Sequence, residues 1–374
     1  MPLHEKEGFK FDLETQRFIK NRWETEIGKK VRGQIIEGIK NNVEIRAILD
    51  EYVLDHPENY DPYAHPIYPS EKMKEGAFWV LTQDDLRGIH FYNENFEGTK
   101  SLPKKALSYT SFFNCKLQQA NLERTDVSYA RFEKCDFQNS IFAMVGGFNA
   151  RFLNCNLRGT CFFEGFLGEF DFSGSDLRNS YWERATISGA KVDHRTRFDT
   201  SFRKEWSSRK MPENEVPDLL RSLRISYEKA EIWDTMDSYL AAEQRGRRRA
   251  ILWPQLTKEK SFGSFRAWFW SLLMGAYSNY STSPSRVVFI SLILPVLFSV
   301  FYLVAGTPSS HENSLNNLLE SIYYSFTTFT TLGFGDVTYA ETRPVMRIIS
   351  TAEAFIGAIS MSLFVVIVAR KLFR

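Results

Sequence analysis

Large apolar residues recur at every fifth position from Leu107: Leu107, Phe112, Leu117, Leu122, Val127, Phe132, Phe137, Phe142, Phe152, Leu157, Phe162, Leu167, Phe172, Leu177, Trp182, Ile187 and Val192, with Gly147 as the single break. Two residues before most of them stands a small side chain, as at Thr110, Cys115, Ala120, Thr125, Ala130, Cys135, Ser140, Ala150, Cys155 and Thr160. A repeat this short cannot bury its apolar side alone and must stack on its neighbours. Leu86, Phe91 and Phe96 mark an imperfect earlier turn of the same pattern.

The C-terminal part is patterned differently. Charges are scattered up to Arg286. Val287–Ala305 then runs uncharged over a length that spans about 30 Å of hydrocarbon as a helix, and its Pro295 is tolerable in a membrane helix. A second run, Ile348–Ala369, holds one acid, Glu353. Arg245, Arg247, Arg248, Arg249, Lys258, Lys260, Arg266 and Arg286 precede the first run, and Arg370, Lys371 and Arg374 follow the second. The loop between them has no lysine and, short of the base of the second run, only Arg343. That asymmetry predicts cytoplasmic termini and an external loop. The start, "MPLHEKEGFKFDLETQRF", has no apolar h-region, so no signal peptide is expected.

Within the external loop, Ser314–Thr331 sets Leu315, Leu318, Leu319, Ile322, Tyr323 and Phe326 near helical spacing, with Asn313 or Ser314 available as N-cap. The predicted helix is too short to span a bilayer. A short helix that enters the membrane and returns as extended backbone is allowed only where that backbone is buried in protein or lines water. The stretch "TTFTTLGFGDV", residues 327–337, can supply it. Gly333 and Gly335 alternate with Leu332 and Phe334 and can take positive φ, which lets successive carbonyls point to one side. Four such segments around an axis would stack oxygen rings that replace a cation's hydration shell. The negative C-terminal ends of the short helices would favour that cation.

The motif "TTLGFGD" resembles the selectivity filter of potassium channels, and the order helix, pore loop, helix resembles their two-transmembrane pore module. The resemblance implies a homotetramer, since one chain supplies one pore loop. It implies that the carbonyls of Thr331, Leu332, Gly333 and Phe334 and the Thr331 hydroxyl bind dehydrated K+, with Gly335 completing the filter. Asp336 would brace it from behind, towards Tyr324, where many relatives carry Trp. Leu332 and Phe334 stand where Val and Tyr are commonest, as they do in some potassium-selective relatives. Gly357 resembles the hinge glycine of inner pore helices; its alternative is a small residue for close packing. Glu353, an acid inside a membrane helix, is expected to hydrogen-bond behind the filter in preference to acting as a proton or ion site. Ala369 and Phe373 are candidates for a constriction. Thr338 falls where an aromatic residue in the family supports external block by tetraethylammonium.

The five-residue pattern resembles the pentapeptide-repeat family, A-(D/N)-L-X-X, with "ANLER" at Ala120 and "SDLRN" at Ser175 the closest copies. The resemblance implies a right-handed quadrilateral β-helix of four faces. Cys115, Cys135 and Cys155 would then stack in one column, about 4.8 Å between coils. They are expected to be small inward-facing core residues and not a thiol or metal ladder, since no histidine joins the column. Cys161 is out of phase and expected to be exposed.

The chain therefore reads as a multidomain membrane protein: helical cytoplasmic residues 1–84, a β-helix over 85–205, a helical hairpin and interfacial linker helix over 206–285, and an all-α pore module over 286–374. Within the last, the spans are expected at 287–305 and 345–370, the pore helix at 314–330 and the filter at 331–336. Residues 12–54 are expected to cap the solenoid or to pair between subunits. Phe262–Tyr277, aromatic with few charges, reads as an interfacial helix, and the preceding arginines as facing anionic lipid, a reading the topology favours over a solvated face.

A formal charge of +2 over 374 residues does not suggest a nucleic-acid partner. Residues 84–199 hold about 15 acids and 15 bases, too balanced for a DNA-mimicking gyrase inhibitor. Four cysteines confined to one segment indicate a reducing compartment. No nucleophile–base pair suggests an enzyme. The expectation is a potassium-selective channel in the cell inner (plasma) membrane, binding K+ and membrane lipids with no other cofactor. An unknown protein or ligand could act on the repeat domain. The alternatives are a membrane-anchored repeat scaffold or a nonselective cation channel. No arginine-every-third helix is present, so voltage sensing of the usual kind is not expected. No regulatory domain is expected after the second span, so control is expected from the N-terminal side.

Overall fold

The computed structural model describes residues 20–55, 86–99, 107–199, 205–206, 209–210, 215–249, 262–306, 314–337 and 344–373. These form two units, Met1–Gly246 and Arg247–Arg374.

The first unit is built on a β-solenoid. Its strands are three residues each: β1 His90–Tyr92, β2 Ser111–Phe113, β3 Arg131–Glu133, β4 Ile141–Ala143, β5 Gly146–Phe148, β6 Arg151–Leu153, β7 Cys161–Phe163, β8 Phe166–Gly168 and β9 Tyr181–Glu183. They pair in parallel as β1-β2-β3-β6, β4-β7-β9 and β5-β8. Phe112 faces Phe132 and Phe132 faces Phe152, one coil of twenty residues apart. The fivefold apolar positions therefore become continuous inward columns, with ring centroids 4.9 and 4.6 Å apart along this one. The register is 21 residues at the first pairing, Phe91 with Phe112, and again at the bridge from Asp176 to Arg197.

Every fifth residue from Asn114 to Gly189 has positive φ. Asn and Gly suit that conformation, but Arg124, Lys134, Met144 and Glu164 adopt it as well, at a cost of about 1–2 kcal/mol each. Inter-coil hydrogen bonds hold these corners. Asn114 N donates to Glu133 O at 2.8 Å, Lys134 N to Leu153 O at 2.9 Å and Asn154 N to Ser173 O at 2.9 Å.

Gly147, the break in the apolar series, has its reason in Phe170. A Cβ on Gly147 would stand 3.3 Å from Phe170 Cζ, so the ring, at a position otherwise given to small side chains, fills the room the glycine leaves. Several of the other small residues satisfy their polar atoms across coils. Ser140 Oγ donates to Leu117 O at 2.6 Å, Thr160 Oγ1 to Phe137 O at 3.1 Å, Cys135 Sγ to Phe112 O and Cys155 Sγ to Phe132 O, each at 3.4 Å. The hydrogen bond with the Cys135 thiol, together with burial, pushes the Cys115 thiol well above its ordinary pKa. Cys161 differs from expectation: it occupies an outward strand position beside inward Phe162, yet only 1% of it is exposed.

Helices close both ends of this core. Thr25 caps α1 (Glu26–Lys40) through Gly28 N, and α1 and α2 (Ile45–Asp55) bury Val31, Ile35, Ile39 and Leu49 in the same cluster as the solenoid. Trp23 Nε1 and an Arg22 amine both donate to the Arg87 carbonyl, at 2.8 and 3.0 Å, and Lys40 pairs with Glu94 at 2.8 Å. The cluster also takes in Leu219, Leu220, Leu223 and Tyr227 of α3 (Val216–Lys229) and Met236 and Tyr239 of α4 (Trp233–Arg247). Tyr227 donates to Thr196 O at 2.9 Å. The hairpin expected as part of a linker over 206–285 thus belongs to the solenoid unit, because its apolar face is buried there.

Among the described residues the second unit has the helices α5 Phe262–Ser278, α6 Pro284–Ala305, α7 Ser314–Phe329 and α8 Pro344–Leu372. Of these, α6 and α8 are long and apolar enough to cross a membrane. Between α5 and α6 the chain turns through Asn279, Tyr280 and Ser281, three consecutive residues with positive φ. Tyr280 N donates to Met274 O at 3.0 Å and Ser281 N to Ser278 Oγ at 2.9 Å, which fixes the turn.

Candidate functional site

The short helix α7 lies between the two long ones in sequence and packs against both. Its amphipathic face carries two serines: Ser321 and Ser325 are fully buried, as is nearly all of Phe329. After Phe329 the chain leaves the helix through Thr330, whose N–H donates to Phe326 O at 3.0 Å. The amides of Leu332 and Gly333 still reach back to Thr327 O, at 3.0 and 3.2 Å.

Positive φ then alternates along the loop: 58° at Thr331, 52° at Gly333 and 78° at Gly335, with Leu332 and Phe334 between. For the glycines this conformation is easy. For β-branched Thr331 it is a strained exception of the kind that collects at functional sites. Leu332 and Phe334 are exposed on the single chain, and a Cβ on Gly333 or Gly335 would meet nothing within 4 Å. Sequence reasoning anticipated positive φ at the glycines and missed it at Thr331.

Asp336 follows the loop. Its carboxylate accepts a hydrogen bond from the Tyr323 hydroxyl at 2.8 Å, not from Tyr324 as expected. The difference is one of helix face. Tyr324 turns inward, 9% exposed, and packs edge-on against Tyr302 of α6 at 5.2 Å, leaving Tyr323 on the side where Asp336 lies. Thr338 lies outside the described residues.

Glu353, on α8, is fully buried. One carboxyl oxygen accepts from Tyr302 Oη at 2.7 Å and the other from Ser325 Oγ. Ser325 Oγ also lies 2.8 Å from the Pro295 carbonyl of α6. Both bonds to Glu353 come from partners that sequence reasoning did not find. Tyr302 is one of three hydroxyls in its apolar run, with Ser291 and Ser299, and Ser325 is a hydroxyl on an apolar helix face, so the signals in the sequence are weak. Four residues on, Gly357 packs directly on Phe329; a Cβ there would stand 1.8 Å from the Phe329 carbonyl oxygen. Close packing, one of the two roles considered for Gly357, has a concrete contact. At the end of α8, Phe373 N donates to Ala369 O at 3.0 Å, and Phe373 is exposed.

Two segments match known families. Residues 288–374 match the family described as "Ion channel", and residues 107–142 match "Pentapeptide repeats" in eight copies. Similar solved structures include a pentapeptide repeat protein (Rfr23) from the cyanobacterium Cyanothece 51142, 20% identical over 31% of this chain and 88% of that one, TM-score 0.18. Full-length QnrB1, a plasmid-mediated fluoroquinolone resistance protein, is 13% identical over 32% of this chain and 79% of that one, TM-score 0.17. HetL, a pentapeptide repeat protein involved in heterocyst differentiation regulation in Nostoc sp. strain PCC 7120, is 14% identical over 29% and 63%, TM-score 0.13. No curated protein matches. The chain carries an ion-channel module and a pentapeptide-repeat solenoid, and two of its helices are long and apolar enough to cross a membrane.

Proposed function

We propose that the protein is a homotetrameric, potassium-selective channel of the cell inner membrane, with both termini cytoplasmic and its opening modulated by the solenoid. The observation that carries this reading is the alternation of positive φ at Thr331, Gly333 and Gly335, directly after a short helix packed between two apolar helices. Alternating handedness lets successive carbonyls converge on one line. Four chains around an axis would then surround a dehydrated cation with carbonyls of Thr331, Leu332, Gly333 and Phe334 and the Thr331 hydroxyl, as a potassium filter does. Potassium is the permeant ligand, and the exposed apolar faces of α6 and α8 suit lipid and neighbouring subunits.

In this reading Asp336, through Tyr323, and Glu353, through Tyr302 and Ser325, support the loop, and the α8 end at Ala369 and Phe373 is the constriction. A ligand or protein that acts on the solenoid shifts opening only by binding the open and closed states with different affinity. The test is purified full-length protein in planar bilayers with K+ on one side and Na+ on the other. A reversal potential far towards the K+ equilibrium value is expected. Equal permeability would leave a nonselective channel, and no conductance a membrane-anchored scaffold.

A further inference from the structure

The loop 331–335 has two ends, and buried contacts converge on both. Ser325 sits one helical turn before Phe329, the last residue of α7. Glu353 and Gly357 are one turn apart on α8, and they meet Ser325 and Phe329 respectively, so two matched rungs join the helices where the loop begins. At the far end, Val337 packs with Phe298, Met346 and Ile349 around the buried pair Tyr302 and Tyr324. The hydroxyl of that same Tyr302 donates to Glu353. One carboxyl group therefore holds the hydroxyl beside the loop's entry and the ring that packs with its exit.

We propose that Glu353 is a positioning residue for the ion path: from outside the path it fixes both ends of the 331–335 loop, through Ser325 and Tyr302. The inference rests on the channel reading above. What the site requires is two hydrogen-bonding atoms on α8 and not the negative charge itself. Ser325 has a single proton and two neighbours that can accept it, Pro295 O and Glu353. A glutamine at 353 satisfies the set without charge, its carbonyl accepting from Tyr302 and its amide donating to Ser325 Oγ while Ser325 donates to Pro295 O. A methionine, similar in length, satisfies neither contact.

The test uses full-length protein and three variants: Glu353→Gln, Glu353→Met and Ser325→Ala. Hydrogen–deuterium exchange is read by mass spectrometry, and the K+ to Na+ permeability ratio by reversal potential. Glu353→Met and Ser325→Ala should each raise exchange of the amides over 326–337 by roughly tenfold or more, the size expected for losing a buried hydrogen bond to an ionisable group. Both should lower the permeability ratio. Exchange in the solenoid should not change, and Glu353→Gln should stay near the unmutated protein on both readouts. A merely structural role would lower global stability without a selective effect on 326–337 or on the ratio. Should Glu353→Met fail to assemble, Ser325→Ala decides. Unchanged exchange over 326–337 in an assembled variant overturns the proposal. An unmutated protein without preference for K+ overturns the channel reading instead, and the exchange measurement still decides the role of Glu353.

Discussion

Gly357 on α8 and Phe329 at the end of α7 are in backbone contact: a Cβ on the glycine would stand 1.8 Å from the Phe329 carbonyl oxygen and 2.7 Å from its carbon. No side-chain rotation relieves a clash with backbone, so the two helices must separate. Gly357→Ala is expected to cost about 3 kcal/mol, the upper end for overpacking. Thermal unfolding of the detergent-solubilised protein measures it. A variant as stable as the original would mean that the helices approach less closely than this.

Gly335 has φ of 78° and open space around it, so an added methyl group meets no neighbour in the chain itself. The strain of Gly335→Ala is confined to the backbone, at about 1–2 kcal/mol. The protein should still assemble while the permeability ratio falls, as read from reversal potentials. Loss of assembly with no change of selectivity in the surviving channels would count against a role for this backbone in selection.

The four cysteines, all buried, should be unreactive. None is expected to be alkylated by N-ethylmaleimide under native conditions, and all four should be after denaturation, as counted by mass spectrometry. Cys161 is the informative one, since its outward strand position would leave it labelled if nothing covered that face.

Asp193 ties the last described coil together. Burial by itself would raise its carboxyl pKa, but hydrogen bonds from Gly174 N, Thr196 and Arg195 outweigh that and hold it at about 2. Because the folded pKa lies below the unfolded value of about 3.9, the stabilisation is complete above pH 4 and is lost as pH falls from there towards 2. It amounts to on the order of 2 kcal/mol. Asp193→Asn should lower stability at neutral pH and flatten its dependence in that window, as followed by exchange of the 193–197 amides against pH.

Removal of the solenoid should alter open probability and leave selectivity and unitary conductance nearly unchanged. The cut must fall after Gly246 and not at 205. Leu219, Leu220 and Leu223 are buried in one cluster with the solenoid, so a cut at 205 strips their cover. Single-channel recording of a chain starting at Arg247, beside full-length protein, measures the effect. Equal open probability under all conditions would leave the solenoid an assembly or docking module.

Much of this was legible because both units repeat or run on simple rules. A five-residue apolar period names inward positions without any knowledge of the coil, and uncharged runs of the right length name spans. What was not legible depends on neighbours far away in sequence. Phe170 compensates for Gly147 from the next coil, and Cys161 is buried by a cover that its own strand does not encode. Tyr323 and Tyr324 are adjacent, and which of them meets Asp336 is decided by the rotation of α7 against Tyr302. The partners of Glu353 come from helices 28 and 51 residues away. Positive φ at the charged corners of the solenoid contradicts local preference and arises where hydrogen bonds between coils impose it, while at Thr331 it goes with a local bond from its amide to Thr328 O at 3.0 Å.

The terminal coils have a bearing on solubility. A stack of parallel strands with a constant twenty-residue pitch ends in a row of free amide and carbonyl groups, the template on which a second copy adds to make a fibre. Here the Arg87 carbonyl already receives Trp23 and Arg22, and the pitch slips to 21 at the first pairing. The other end carries the same slip beside Thr196, whose carbonyl is taken by Tyr227. An incoming copy would find these two carbonyls occupied and its spacing out of step, which protects a chain that repeats itself so faithfully from growing by its own rule.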